Sequence, residues 1–271
     1  MTRPSPADID VLAAELHRAE RERRTISQLS LRYPEMTVED AYAVQRALVG
    51  LKVADGRVIK GRKVGLTSKT MQRAVSIDEP DFGALFDDMF FADGGRVPLG
   101  RFIRPRIEVE LAFVLGHALR GPDVTAADVV AATDHVVPAM EILDARVDMT
   151  DRDTGHRRTI VDTIADNAAN AGLVLGSQAA CPAELDLRWV PALLLRNGVI
   201  EESGVSAAVL DNPAHAVAWL ANRIAGYGIS LSGGDVVLSG SFTAAIFADP
   251  GDEFVADFGE LGTVSITFAE L

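Results

Sequence analysis

The sequence predicts an α+β protein, with a helical N-terminal segment over residues 1–56 followed by a β-rich body over 57–271. Three observations carry this reading. Up to residue 56 the apolar residues recur at helical spacing. From residue 57 the chain breaks into short β-branched segments separated by Gly, Pro and Asp turns. The run Ile107–Leu115 alternates two glutamates with apolar residues at the period of a strand.

In chain order, Ile9, Leu12, Ala13, Leu16 and Ala19 form one apolar face of a helix from Pro6 to about Arg24, whose basic end suits the negative pole of the helix. Thr37-Val-Glu-Asp40 has the form of a capping box and opens a second helix ending near Ala54, before Asp55-Gly56. Val58–Leu66 predicts a strand, Thr67–Thr70 a polar turn and 77–83 a loop punctuated by Pro80 and Gly83. Thr125 caps a short helix to Thr133, and Val136–Leu143 is a strand carrying Glu141. Asp151–Arg158 is a charged loop, and Pro213–Ala225 a helix burying Ala216, Val217, Leu220, Ala221 and Ile224. Further strands are expected at 173–175, 185–195, 199–200, 235–239, 254–258 and 263–268.

Composition narrows the function. A net charge of −13 with no basic stripe argues against nucleic acid as a partner. No apolar run reaches membrane-span length, and Met1–Pro6 lacks the apolar core of a signal peptide. The single cysteine, Cys181, permits no internal disulfide, so a cytoplasmic location is expected. No CxxC or His/Cys cluster points to zinc or iron–sulfur chemistry.

The alternation in Ile107–Leu115 puts Glu108 and Glu110 on one face, about 6.5–7 Å apart along the strand. Such a face is either solvated or holds a cation, because like carboxylates in an apolar setting are costly unless a metal or a partner neutralises them. Glu141 adds a third carboxylate among apolar neighbours. Three carboxylates without a thiol or imidazole cluster select a hard cation, Mg²⁺ or else Mn²⁺. Lys63 sits within a strand pattern, as an edge gatekeeper or as a desolvated base. Arg106 precedes the glutamates and can bind a carboxylate bidentately; Arg104 is the weaker candidate. The hydroxyls and amides of Leu238–Thr243 can receive anionic oxygens or form a polar turn.

Gly61-x-Lys-x-Gly-Leu-Thr-Ser68, Glu79–Gly83, Asp87–Phe91, Arg101–Leu115 and Val137–Arg146 together resemble the hydratase/decarboxylase branch of the fumarylacetoacetate hydrolase superfamily. Asp162–Gly172, Arg196–Gly204, Asn212-Pro213, Val217–Asn222 and Gly240–Thr243 continue the resemblance, which covers residues 5 to the end. It implies a rolled, sandwich-like β body and homo-oligomers. It also implies a divalent metal, usually Mg²⁺, with ligands mapping onto Glu108, Glu110 and Glu141. Lys63 and Asp81 become the proton-transfer candidates, and Arg106, Ser241 and Ser68 the substrate-binding ones. The activity implied is hydration of an unsaturated seven-carbon 2-oxo dioic acid, in the breakdown of aromatic compounds, with Arg157 or Arg158 as candidates for the far carboxylate. Hydration of a pentadienoate and decarboxylation of an oxalocrotonate stay open, as does, from another class, a catalytically silent assembly partner.

Overall fold

A computed structural model describes residues 3–74, 77 and 79–269; Met1, Thr2, Val75, Ser76, Glu270, Leu271 and Asp78, the last within the expected 77–83 loop, lie outside them. Seven helices are described: α1 (Pro6–Glu22), α2 (Leu29–Arg32), α3 (Val38–Ala54), α4 (Lys69–Ala74), α5 (Ala126–Ala132), α6 (Ile160–Ala165) and α7 (Pro213–Ala225). The helices at the N-terminus, at Thr125 and at Pro213 match the expected ones. Their boundaries follow from their caps: Thr37/Asp40 form the expected reciprocal box, Ser5/Asp8 and Thr125/Asp128 form further ones, and Asn212 caps Ala214.

The strands are β1 (Ile59–Gly65), β2 (Asp81–Phe86), β3 (Phe90–Phe91), β4 (Gly95–Pro98), β5 (Arg106–Leu115), β6 (Thr133–Leu143) and β7 (Asn170–Leu175). They continue with β8 (Pro191–Arg196), β9 (Val199–Val205), β10 (Val236–Leu238), β11 (Ile246–Phe247), β12 (Glu253–Asp257) and β13 (Thr263–Ala269). One sheet runs β2-β1-β10-β5-β6-β7-β3, with β11 also on β5; the other runs β4-β13-β12-β8-β9. One face of β5, formed by Ile107, Val109, Leu111 and Phe113, enters a core shared with Phe254, Val264 and Phe268 of the second sheet. Leu12, Leu16 and Leu48 of the N-terminal helices belong to that same core. The chain is thus a mixed α+β protein with two sheets, as expected.

Three local expectations are corrected. The 67–70 turn gives way to α4 from Lys69, which the Ser68 carbonyl opens by accepting from Gln72 N at 2.9 Å. The end of the 77–83 loop is instead the start of β2, because Asp81, Phe82 and Gly83 pair with Gly65, Val64 and Lys63 of β1 and are buried. The 185–195 strand is shortened to Pro191–Arg196, since Asp186–Trp189 closes a turn through Trp189 N and the Asp186 carbonyl (3.0 Å). Among the described residues, no helix is long and apolar enough to cross a membrane.

Candidate metal centre and active site

The antiparallel register of β5 and β6 sets Glu108 directly opposite Glu141, and Glu110 opposite Ala139. Because alternate residues of a strand share a face, the three carboxylates converge, with one oxygen from each lying within 4.8 Å of the others. Ala112, Ala139, Leu173 and Leu238 pack together on this side of the sheet, so the solvated-face alternative does not describe it. Glu110 and Glu141 are buried, and Glu108 is half-buried at the wall of a cavity.

Each buried carboxylate has one oxygen anchored and one left over. Glu110 Oε2 accepts from the Gly240 backbone N–H at 2.7 Å. Glu141 Oε1 accepts from Asn170 Nδ2 at 2.7 Å and lies 3.3 Å from Lys63 Nζ. Glu110 Oε1 and Glu141 Oε2 are buried with no hydrogen-bond partner among the described residues. A buried acceptor without a donor is costly, so both oxygens are matched to a ligand the protein chain does not provide. Burial, reinforced by Glu141, pushes Glu108 up from 4.5 to about 7, and the same causes raise Glu110 well above the usual carboxylate range. The unpartnered oxygens, the oxygen-only donor set and the raised carboxyls fit a hard divalent cation.

Lys63 and Asp81 flank this trio on paired strands. Lys63 is buried, and its Nζ also donates to the Ala168 carbonyl at 3.2 Å. Burial disfavours its charge, but Glu141, Asp81, Glu110 and Glu108 outweigh that, so its ammonium is held above the ordinary lysine range. Asp81 is buried with Oδ1 unpartnered, and burial raises it despite the opposing charge of Lys63. Gly65 makes room for both: a Cβ there would lie 2.2 Å from Asp81 Oδ1 and 3.1 Å from Lys63 Nζ.

Two cavities open from the trio and share Gly65, Leu66, Arg106 and Glu108. One, of about 420 Å³, holds Ser68 and Ser241. The Ser241 hydroxyl already donates to the Thr243 carbonyl at 2.9 Å, closing its own polar turn. The other, of about 320 Å³, contains Lys63, Asp81, Arg157 and Arg158. The two arginines differ: Arg157 is exposed, whereas Arg158 is half-buried with Nη1 lacking a partner among the described residues. Arg104 stacks over Phe247, 4.2 Å from the ring centroid. A third cavity, of about 340 Å³, contains none of these groups; of its arginines, Arg57 pairs with Glu20 at 2.9 Å and Arg101 with Asp88 at 3.1 Å.

The Gly240 amide, which serves Glu110, lies in the Leu238–Thr243 segment whose amides the sequence offers to anionic oxygens. Sequence reasoning missed Asn170 and the turn leading into β7. There Asn167, Ala168 and Ala169 adopt φ of 51°, 53° and 55° in succession, all buried. Left-handed backbone costs a non-glycine residue about 1–2 kcal/mol and ordinarily occurs singly. The available signal was a set of polar residues, Asp166, Asn167 and Asn170, inside an alanine run.

The family model described as fumarylacetoacetate (FAA) hydrolase C-terminal matches residues 58–269. The chain is 56% identical over 258 residues to the 2-oxo-hept-4-ene-1,7-dioate hydratase of Escherichia coli, covering 95% of this chain and 97% of that protein. It is 41% identical over 264 residues to the 2-hydroxyhexa-2,4-dienoate hydratase of Comamonas testosteroni, covering 97% and 98% respectively. The 4-oxalocrotonate decarboxylase of Pseudomonas putida G7, solved with magnesium and adipate, superposes with a TM-score of 0.92 at 34% identity, over 97% of this chain and 98% of that one. With its β body, its carboxylate trio and relatives matched along nearly its whole length, the chain belongs to the fumarylacetoacetate hydrolase family.

Proposed function

We propose that this protein is a divalent-metal-dependent hydro-lyase that adds water to 2-oxohept-4-ene-1,7-dioate, giving 4-hydroxy-2-oxoheptanedioate. The observation that carries the reading is the convergence of Glu108, Glu110 and Glu141, with Glu108, Lys63 and Asp81 lining a cavity that also holds Arg158, whose Nη1 has no partner among the described residues. The hydratase relatives support the reaction class, and the magnesium and adipate of the decarboxylase support a hard cation and a dicarboxylate in the same fold.

Glu108, Glu110 and Glu141 hold the cation, Mg²⁺ by preference or Mn²⁺. Once bound, it supplies Lewis-acid polarisation of a 2-oxo acid and stabilises the negative charge that develops on the ketone oxygen. The chain's own groups handle protons and orientation. Lys63, held as an ammonium, gives a proton and steadies negative charge near Glu141. Asp81, a raised carboxyl, exchanges a proton with the substrate carbon chain. In the balanced reaction, the 4-ene ketone loses a proton from C3 and gains one on its C2 oxygen, giving the 2-hydroxy-2,4-dienoate (the dienol). The dienol then loses that hydroxyl proton and gains one at C5, forming the conjugated enone. Water then places its hydroxyl on C4 and its proton on C3. Arg106, with Ser68 and Ser241 in the adjoining cavity, orients the substrate's oxygens. The protein acts in the cytoplasm as a homo-oligomer, a reading supported by the lone free thiol, Cys181, and by the exposed Trp189, Val199 and Ile200.

Arg158 is assigned the far carboxylate. Its Nη1 is buried without an acceptor among the described residues, and a carboxylate arriving there supplies one; Arg157, being exposed, gains less. Arg158→Met is expected to lower kcat/KM for the seven-carbon dioate by about 30-fold or more, the loss of one charge-assisted contact, while leaving a five-carbon monoacid within about threefold. Equal losses on both substrates would contradict the assignment. Carbon dioxide release from an oxalocrotonate, measured in the same panel, tests the decarboxylase alternative. A silent assembly role is disfavoured by the completeness of the trio, Lys63 and Asp81.

Metal binding should be linked to pH. The Glu108 carboxyl titrates at about 7 in the folded metal-free chain, against an ordinary value of 4.5. The folded form therefore keeps a proton that the unfolded form loses. The resulting stability is present at low pH and is lost as pH rises through this interval. A cation displaces this proton and that of Glu110, so the gain in melting temperature on adding Mn²⁺ is expected to grow as pH rises through about 7. A gain independent of pH would contradict this.

A further inference from the structure

Of the three left-handed residues Asn167–Ala169, Ala168 and Ala169 line the cavity that holds Lys63 and Asp81, and two side chains outside the proposed proton-transfer machinery hold the turn there. Arg146 is buried, and its guanidinium spans the turn. Nη2 donates to the Asp166 carbonyl before the turn, and Nη1 to the Asn170 carbonyl after it at 2.9 Å. Its Nε and its backbone N–H grip the Asp166 carboxylate, the latter at 2.7 Å. Asn167 pins the turn from the other side. Its side chain accepts from Ala84 N at 2.7 Å and donates to the Ala84 carbonyl at 2.9 Å, completing the edge of β2, the strand that begins at Asp81. The approach is close enough to require glycine opposite, since a Cβ on Gly83 would lie 2.6 Å from the Asn167 carbonyl.

The turn delivers two groups to the site. The Ala168 carbonyl receives Lys63 Nζ, and Asn170 Nδ2 holds Glu141 Oε1. A relaxed backbone at these residues would point the carbonyl and the carboxamide elsewhere. We infer that Arg146 and Asn167 are positioning residues: they keep the turn in its left-handed form and thereby set the places of the Lys63 amine and the Glu141 carboxylate. Lysine cannot replace the arginine, because a single ammonium does not reproduce the planar fork that reaches both flanking carbonyls.

The test uses the full chain with Arg146→Lys and Asn167→Gly. The second variant removes the clamp while suiting a positive φ, so the fold tolerates it even if the first does not fold. Mn²⁺ affinity is measured by calorimetry, and kcat and KM on the dienoate per folded molecule. Arg146→Lys is expected to weaken Mn²⁺ binding, and Asn167→Gly to lower kcat with KM little changed, each by about 10–100-fold, the usual scale for groups supporting metal ligands. Folded variants with wild-type Mn²⁺ affinity and kcat, altered only in melting temperature, would overturn the inference. The kinetic arm rests on the hydratase reading and the Mn²⁺ arm does not. A wild-type chain that binds Mn²⁺ without hydrating the dienoate therefore defeats that reading, while the affinity of Arg146→Lys still decides the positioning role.

Discussion

Glu108→Ala is expected to abolish the metal-dependent loss of dienoate absorbance, lowering kcat/KM by at least about 10²–10³-fold, the scale on which losing one stabilising contact to a developing oxyanion is felt. The reasoning is electrostatic. The trio brings carboxylate oxygens within 4.8 Å of one another in an apolar wall, an arrangement that Lys63 alone does not neutralise. Removing Glu108 takes away the ligand that faces the cavity, so the cation is bound more weakly and the substrate oxygens lose their anchor. The same change relieves like-charge repulsion, so the metal-free variant should melt no lower than the metal-free wild type. Loss of activity with an unaltered or raised melting temperature separates a ligand role from a folding role. Wild-type turnover in the variant would remove the metal centre from the account.

Lys63→Met is expected to lower kcat by about 10²–10⁴-fold, the usual contribution of a positioned acid or base. Here the metal moves in the opposite direction. Lys63 Nζ lies 3.3 Å from Glu141 and competes electrostatically with any cation the trio holds. Mn²⁺ affinity should therefore stay the same or rise as activity collapses. Asp81→Asn should reduce kcat over the same range, because its amide cannot exchange the proton that a raised carboxyl does. If Lys63→Met lost metal and activity together, the amine would be a structural partner of Glu141 and not a proton donor.

Much of this arrangement was legible in the chain, for identifiable reasons. A period of two fixes which side chains share a face, so Glu108 and Glu110 could be placed together before any coordinates. Glu141 was recognisable as a carboxylate in an apolar strand, but its position opposite Glu108 is a matter of register between segments about thirty residues apart, which local pattern does not encode. The capping boxes at Ser5, Thr37 and Thr125 are local chemistry, and the helices they open begin where the chain says they should. Pro80 and Gly83 are strong punctuation and predict a loop around Asp81; pairing with β1 overrides them, and Gly83 serves a close approach instead. The left-handed turn at Asn167–Ala169 was invisible, since alanine at positive φ contradicts every local preference and exists only through contacts made by Arg146 and Ala84.

The central claim is metal-dependent hydration, and it is tested most directly by following the dienoate in ¹⁸O-labelled water with chelator-stripped protein, before and after Mg²⁺ is restored. The account predicts no turnover without the cation. With it, dienoate absorbance is lost, one labelled oxygen enters the product at C4 and no carbon dioxide is released. Hydration at the same rate in chelator, or loss of absorbance accompanied by carbon dioxide and no label at C4, would contradict it.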